Sequence, residues 1–134
     1  MATTQLELVT PEALLMSEAV GMVVIPGVEG DMGVMADHAP AVSTLRPGLV
    51  TIHEDAGSSA TRKIFVGGGV AEITGDRCII LAEEAVEVED LDRAKADARV
   101  EEALAAVLAA TSDGEKAQAE AELSIAQAQV AALS

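Results

Sequence analysis

Few residues in this sequence have the means to do chemistry. Asp37 and His38 are adjacent and Ser43 follows five residues on, the residue types of an orienting acid, a base and a nucleophile. Three such groups within seven residues of short-stranded chain rarely converge within hydrogen-bond reach, so Asp37-His38-Ala39-Pro40 reads instead as a turn entering Pro40. His53 stands beside Glu54 and Asp55 as a solvated strand end. Two histidines so spaced in β-structure make a poor metal site. Gly67-Gly68-Gly69 lacks the Lys-Ser/Thr of a phosphate loop, and Val70-Ala71-Glu72-Ile73 after it reads as strand rather than helix. A tight bend or close backbone approach is expected there. Glu83, Glu84, Glu87, Glu89, Asp90 and Asp92 form an acidic run without the internal glycine of a calcium loop, and read as a solvated linker and helix N-terminus. Glu29 and Asp31, bracketed by glycines, sit at a turn tip, a place where rigid sheets carry recognition. The expectation is therefore no catalytic residue, no metal site and no cofactor.

Composition narrows the function classes. Eight basic against 23 acidic residues give a net charge of -15, the wrong sign for nucleic acid or for direct docking on anionic lipid. One Phe and no Trp or Tyr leave the core to Val, Ile, Leu, Met and Ala and leave a ligand-binding sandwich nothing with which to stack sugars or bases. The single cysteine, Cys78, lies in the apolar run Cys78-Ile79-Ile80-Leu81, excludes an internal disulfide and reads as a buried packing thiol in a reducing compartment. Met1-Ala2-Thr3-Thr4-Gln5 shows no signal-peptide pattern, and no window approaches the ~18 apolar residues of a membrane span. A soluble intracellular chain is expected, with any membrane association supplied by a partner.

The elements that must position these residues change character near residue 88. Ten of the eleven glycines and all four prolines precede residue 76, whereas Leu91 to Ser134 holds fifteen alanines in 44 residues. Glycine and proline punctuate strands and alanine is the best helix former. Residues 1–87 are therefore expected to form an antiparallel β-sandwich or flattened barrel, and residues 88–134 an antiparallel two-helix hairpin. Period-two alternation in Gln5-Leu6-Glu7-Leu8-Val9 predicts the first strand. Short strands follow at Leu14 to Ser17, Ala19 to Ile25, Met32 to Met35, Val42 to Leu45, Leu49 to His53, Arg62 to Val66, Val70 to Thr74 and Arg77 to Ala82.

In the second part, Leu91, Val100, Leu104, Val107 and Leu108 mark an apolar stripe behind Asp90 as N-cap. Ser112 with Glu115 is a capping-box signature for a second helix carrying Leu123, Ala126, Val130 and Leu133 on one side. Small side chains bury little area, so the hairpin is expected to be weakly held together.

The order Ile25-Pro26-Gly27, Glu29-Gly30-Asp31-Met32-Gly33, Asp37-His38-Ala39-Pro40, then Leu45-Arg46-Pro47-Gly48 resembles the epsilon subunit of bacterial F-type ATP synthases. Leu6 to Glu12, Phe65 to Ile73, Leu81 to Ala85 and Asp90-Leu91-Asp92 extend the resemblance over nearly the whole length. It implies a non-catalytic central-stalk (rotor) subunit of the proton-translocating ATP synthase, coupling the gamma subunit to the c-ring. It further implies a c-ring interface at Glu29, Gly30, Asp31 and Met32, and a gamma interface at His38, Ala39 and Pro40. The beta subunit would be a partner of the C-terminal helices; no homo-oligomer, nucleic acid or direct lipid contact is implied. The location would be peripheral, on the cytoplasmic face of the bacterial inner membrane.

In some members of that family the hairpin binds ATP through Ile or Leu, Asp, two variable residues, Arg and Ala. Leu91, Asp92, Lys95 and Ala96 stand at those positions here, a vestigial nucleotide site with lysine in place of arginine. An ammonium does not replace a planar fork at a phosphate, and Glu115, Glu120 and Glu122 outnumber Lys116 on the second helix. Weak or no ATP binding and weak inhibition of ATP hydrolysis are expected. The alternative reading is a stand-alone nucleotide-sensing or ligand-binding β-sandwich protein.

Overall fold

The structure, a computed structural model, describes residues 3–133 and separates into two compact units, Met1–Glu87 and Val88–Ser134. The first unit holds eight strands: β1 (Thr4–Val9), β2 (Leu14–Val20), β3 (Met22–Gly27), β4 (Gly30–Met35), β5 (Ala41–His53), β6 (Arg62–Thr74), β7 (Arg77–Ala82) and β8 (Ala85–Glu87). They form one open sheet in the order β2-β1-β7-β6-β5-β3-β4, with β8 paired to β6 off that path. It is a β-sandwich because β5 and β6 serve both layers. Their ladder runs from Ala41↔Ile73 to Ile52↔Arg62. Beyond it, one half of β6 (Gly69–Thr74) pairs with β7 and the other (Ile64–Val66) with β8.

Here the structure differs from the strands expected. Arg46-Pro47-Gly48 and Gly67-Gly68-Gly69 do not end strands; each lies inside a thirteen-residue one. The reason is register. Leu45 faces Gly69 and Pro47 faces Gly67, so both strands bend together. Gly68 and Gly69 have φ of 97° and 146°, a region closed to side chains. A Cβ on Gly69 would stand 2.1 Å from the Leu81 carbonyl oxygen. A second difference is that β1 and β7 pair in parallel, Gln5↔Arg77 through Val9↔Leu81, within an otherwise antiparallel sheet. A third is β8, which takes Ala85 to Glu87 out of the solvated linker.

Alternation along each strand delivers one apolar face to a shared core. Leu6 and Leu8 come from β1, Val23 and Ile25 from β3, and Ile80 from β7, all nearly inaccessible to solvent. Phe65, the one aromatic residue, is fully buried as well.

The second unit begins with a 3-10 turn, Val88–Asp90, and continues as α1 (Arg93–Ala109) and α2 (Asp113–Ala132). The N-cap of α1 is Asp92 rather than Asp90; its carboxylate accepts the Lys95 amide at 3.2 Å. Ser112 caps α2 by accepting the Glu115 amide at 3.1 Å. Glu115 Oε2 reaches back to the Thr111 amide at 3.1 Å, one residue before the partner of an ideal capping box.

The expected stripe holds on α2, where Ala126 is buried and Leu123, Val130 and Leu133 are half-buried, but on α1 Leu104 and Leu108 are exposed. Ala96 and Ala103 on α1 and Ala119 and Ala126 on α2 are covered, each pair seven residues apart, while Leu108 is 88 % exposed. Seven-residue spacing keeps one seam on one face, and alanine lets backbones approach closely. Arg99 Nε donates to Glu122 Oε1 at 2.5 Å and an Arg93 Nη donates to the Leu133 carbonyl at 3.2 Å, closing an antiparallel pair.

The glycine bend is open to a direct test. Gly69→Ala is expected to cost about 2–4 kcal/mol, as forced backbone strain does, and to lower the urea midpoint accordingly; an unchanged midpoint would show that the bend tolerates a side chain.

Candidate functional site

The Glu29–Asp31 turn and the Asp37-His38 loop lie at the two ends of β4. At one end, Gly27 pairs with Gly30, leaving Val28-Glu29 as a two-residue hairpin turn. Val28 and Glu29 keep ordinary φ, and the unusual conformation falls on the residue after them, Gly30, at φ 135°. The hairpin tip is tied down from the neighbouring strand. Arg46 on β5 donates from Nη1 to the Gly27 carbonyl at 2.5 Å and from Nη2 to Asp31 Oδ1 at 2.6 Å. The Val28 amide donates to the Thr44 carbonyl at 2.9 Å. Val28 is 58 % exposed and Glu29 is exposed beside it, whereas Met32 is half-buried and packs against the core.

At the other end, six residues or about 20 Å along the strand, the loop turns through Asp37 at φ 62°. Its amide donates to the Gly75 carbonyl at 2.6 Å, fastening the loop to the β6–β7 turn. His38 is half-buried, and its Nδ1 lies 2.7 Å from the Ala39 carbonyl, to which it donates in the matching tautomer. Ser43 Oγ donates to the Thr44 carbonyl at 3.5 Å. Asp37, His38 and Ser43 therefore form no relay: the ring is spent on its own backbone. His53 does likewise with the Ser58 carbonyl at 2.8 Å.

The acidic run is only partly the solvated linker expected. Arg62 donates from Nε to Glu87 Oε1 at 2.9 Å, makes a second bond to the same carboxylate, and reaches Glu18 Oε1 at 2.9 Å. It thereby joins β2, β6 and β8. The Glu87 hydrogen bond is the main cause raising the Arg62 pKa above its ordinary value. The Glu84 carbonyl accepts the Gly67 amide at 2.9 Å. Among the described residues no group of three or more His, Cys, Asp or Glu could hold a metal ion.

On the helical unit, Leu91, Asp92, Lys95 and Ala96 have structural tasks. Asp92 caps α1 with its side chain, and its carbonyl accepts the Ala96 amide at 2.9 Å. Ala96 is buried in the helix seam and Leu91 is half-buried, leaving Lys95 exposed. A cleft of about 670 Å³ between the helices is lined mainly by alanines, with Glu115, Gln118, Glu122 and Ile125. Its two carboxylates already bond Thr111 and Arg99.

Arg46 is the residue that reasoning from sequence passed over. Nothing local to Leu45-Arg46-Pro47-Gly48 gives it a role. The signal needed was the register Gly27↔Leu45, which sets Arg46 beside the hairpin turn.

The sandwich, residues 3–88, matches the family model described as the ATP synthase delta/epsilon chain, beta-sandwich domain. The chain belongs to the ATP synthase epsilon-chain family. It is 48 % identical over 130 residues to the epsilon chain of Rhodospirillum rubrum, covering 97 % of this chain and 96 % of that one. With the epsilon chain of Paramagnetospirillum magneticum it shares 45 % identity over 96 % of each. Among solved structures, a chain of the Euglena gracilis mitochondrial ATP synthase (OSCP/F1/c-ring, rotational state 1) superposes with a TM-score of 0.83 at 29 % identity, covering all of this chain and 83 % of that one. An epsilon chain is one subunit of a multi-subunit enzyme rather than a catalyst by itself.

Cys78 is fully buried on β7, and burial pushes its thiol up from about 9 to about 11. The folded chain keeps a proton that the unfolded chain releases, so this contribution is intact below pH 9 and is lost as pH rises towards 11. Thiol reagents at pH 8 are expected to leave the native chain unmodified and to label one equivalent in denaturant. Labelling of the native chain at the denatured rate would show that the thiol is accessible.

Proposed function

We propose that this chain is a central-stalk subunit of the proton-translocating ATP synthase, joining the gamma subunit to the c-ring during rotary ATP synthesis without catalysis of its own. The observation that carries this reading, beyond family membership, is the hairpin tip held from a third strand by Arg46. Transmitting torque without slip demands an exposed element that does not bend on its base. A two-residue turn locked to a sheet whose long strands belong to both layers meets that demand. The Euglena neighbour, part of an OSCP/F1/c-ring assembly, agrees with it.

In this reading the tip residues Glu29, Gly30, Asp31 and Met32 face the c-ring, and His38, Ala39 and Pro40, at the far end of β4, face gamma. Apolar contact and shape would supply interface strength, and the carboxylates at the tip would set orientation against basic or amide groups. No helix among the described residues is long and apolar enough to cross a membrane. The complex would hold the chain at the cytoplasmic face of the bacterial inner membrane.

The helical unit is proposed to be a weak inhibitor and a weak ATP binder or none. Arg93 and Arg99 are engaged within the hairpin, by the Leu133 carbonyl and Glu122. Glu101, Glu102 and Glu120 stay exposed, so an acidic partner surface would be repelled.

Pull-down from solubilised membranes is expected to bring gamma and c subunits with this chain. Glu29→Lys should lower its retention several-fold while leaving the fold intact. Recovery without either subunit, or unchanged retention of the variant, would count against the assignment. Truncation after Glu89 is expected to change ATP hydrolysis by the assembled enzyme less than twofold, and a several-fold rise would refute weak inhibition.

A further inference from the structure

Of the two carboxylates at the β3–β4 tip, only one is committed among the described residues. Asp31 Oδ1 lies 2.6 Å from Arg46 Nη2, with the two side chains 62 % and 44 % exposed. The same guanidinium holds the Gly27 carbonyl through Nη1 at 2.5 Å. One planar fork on β5 therefore bonds both sides of the hairpin turn, β3 through Gly27 and β4 through Asp31. Glu29, two residues before Asp31, makes no ion pair or side-chain hydrogen bond among the described residues and is exposed beside Val28.

We propose that Arg46 is a positioning residue for partner docking: it clamps the hairpin tip and occupies the Asp31 carboxylate, so that Val28 and the uncommitted Glu29 form the contact surface. This rests on the reading of the tip as the c-ring contact, and it divides the acidic residues of that tip into one structural and one recognising group. The partner loop it fits carries an apolar side chain for Val28 and a cationic or amide donor for Glu29.

An exposed ion pair alone counts for little. The strength here lies in the second bond, because the Gly27 carbonyl belongs to a buried residue whose neighbour, Val28, donates to Thr44. Arginine suits this task and lysine does not, since only a fork with fixed geometry satisfies both acceptors.

Two measurements test the proposal. Hydrogen exchange on the isolated full-length chain should show the Val28 amide exchanging about threefold to tenfold faster in Arg46→Gln, with β1 and β7 amides unchanged and Arg46→Lys intermediate. In the assembled complex, Arg46→Gln should weaken retention of the subunit, and Asp31→Asn should weaken it less, since the Gly27 bond survives that change. The double variant should be no weaker than Arg46→Gln alone, because that substitution already removes both bonds of the clamp. Glu29→Gln should weaken retention further in both backgrounds. A further loss from Asp31→Asn in the Arg46→Gln background would mean that Asp31 meets the partner directly, and would overturn the proposal. Unaltered exchange would overturn the clamp while leaving the c-ring reading standing. Altered exchange with retention untouched by all these substitutions would overturn the docking role together with that reading.

Discussion

The bend shared by β5 and β6 is the constraint on which the rest depends. Without it, seven strands in one path would make an open sheet with a solvated face, too large an apolar surface to leave uncovered. Folding both long strands at Pro47 and Gly67–Gly69 turns that sheet on itself and lets Val23 and Ile25 share a core with Leu6 and Ile80. The bend is possible only because Gly69 lets β6 approach the Leu81 carbonyl more closely than any side chain permits. It also brings Arg46, at the corner of β5, alongside the β3–β4 turn, so the fold and the candidate contact surface have one origin.

The helical unit is built on a different principle. Its seam is alanine against alanine, with Ala96, Ala103, Ala119 and Ala126 covered and the larger Leu104 and Leu108 exposed. Close backbone approach replaces large side chains, and the polar bonds of Arg93 and Arg99 fix the pairing. Polar contacts in partial exposure hold a register more than they add stability. The sandwich keeps its shape through burial, whereas the hairpin keeps its alignment through a few directed bonds.

Much of this was legible in the residues, and the failures are informative. The alternation Gln5 to Val9, the change to alanine after Leu91, the burial of Cys78 and the cap at Ser112 are local signals, and each matches the structure. Glycine and proline misled where they bend a strand rather than end it, because that depends on what faces them: Pro47 opposite Gly67 cannot be seen from either alone. On α2 the expected Ala126 does lie in the seam, whereas on α1 the packing takes Ala96 and Ala103, seven residues apart, in place of the larger Leu104 and Leu108. Asp92 rather than Asp90 caps α1 because Val88–Asp90 first forms a 3-10 turn. The Arg46 clamp and the parallel β1–β7 pair involve residues brought together by pairing across the sheet, which no local pattern announces.

That parallel pair has a consequence for how the chain comes into being. β1 lies between β2 and β7, and its second neighbour is the seventh strand made. On a ribosome β1 can find only β2, and must wait with an open edge until Leu81 has emerged. At the usual ~5–20 residues per second, that exposure lasts several seconds in a nascent chain. Long-range closure of this sort slows folding, and it makes the insertion of β7 between strands already formed a late step in completing the sandwich.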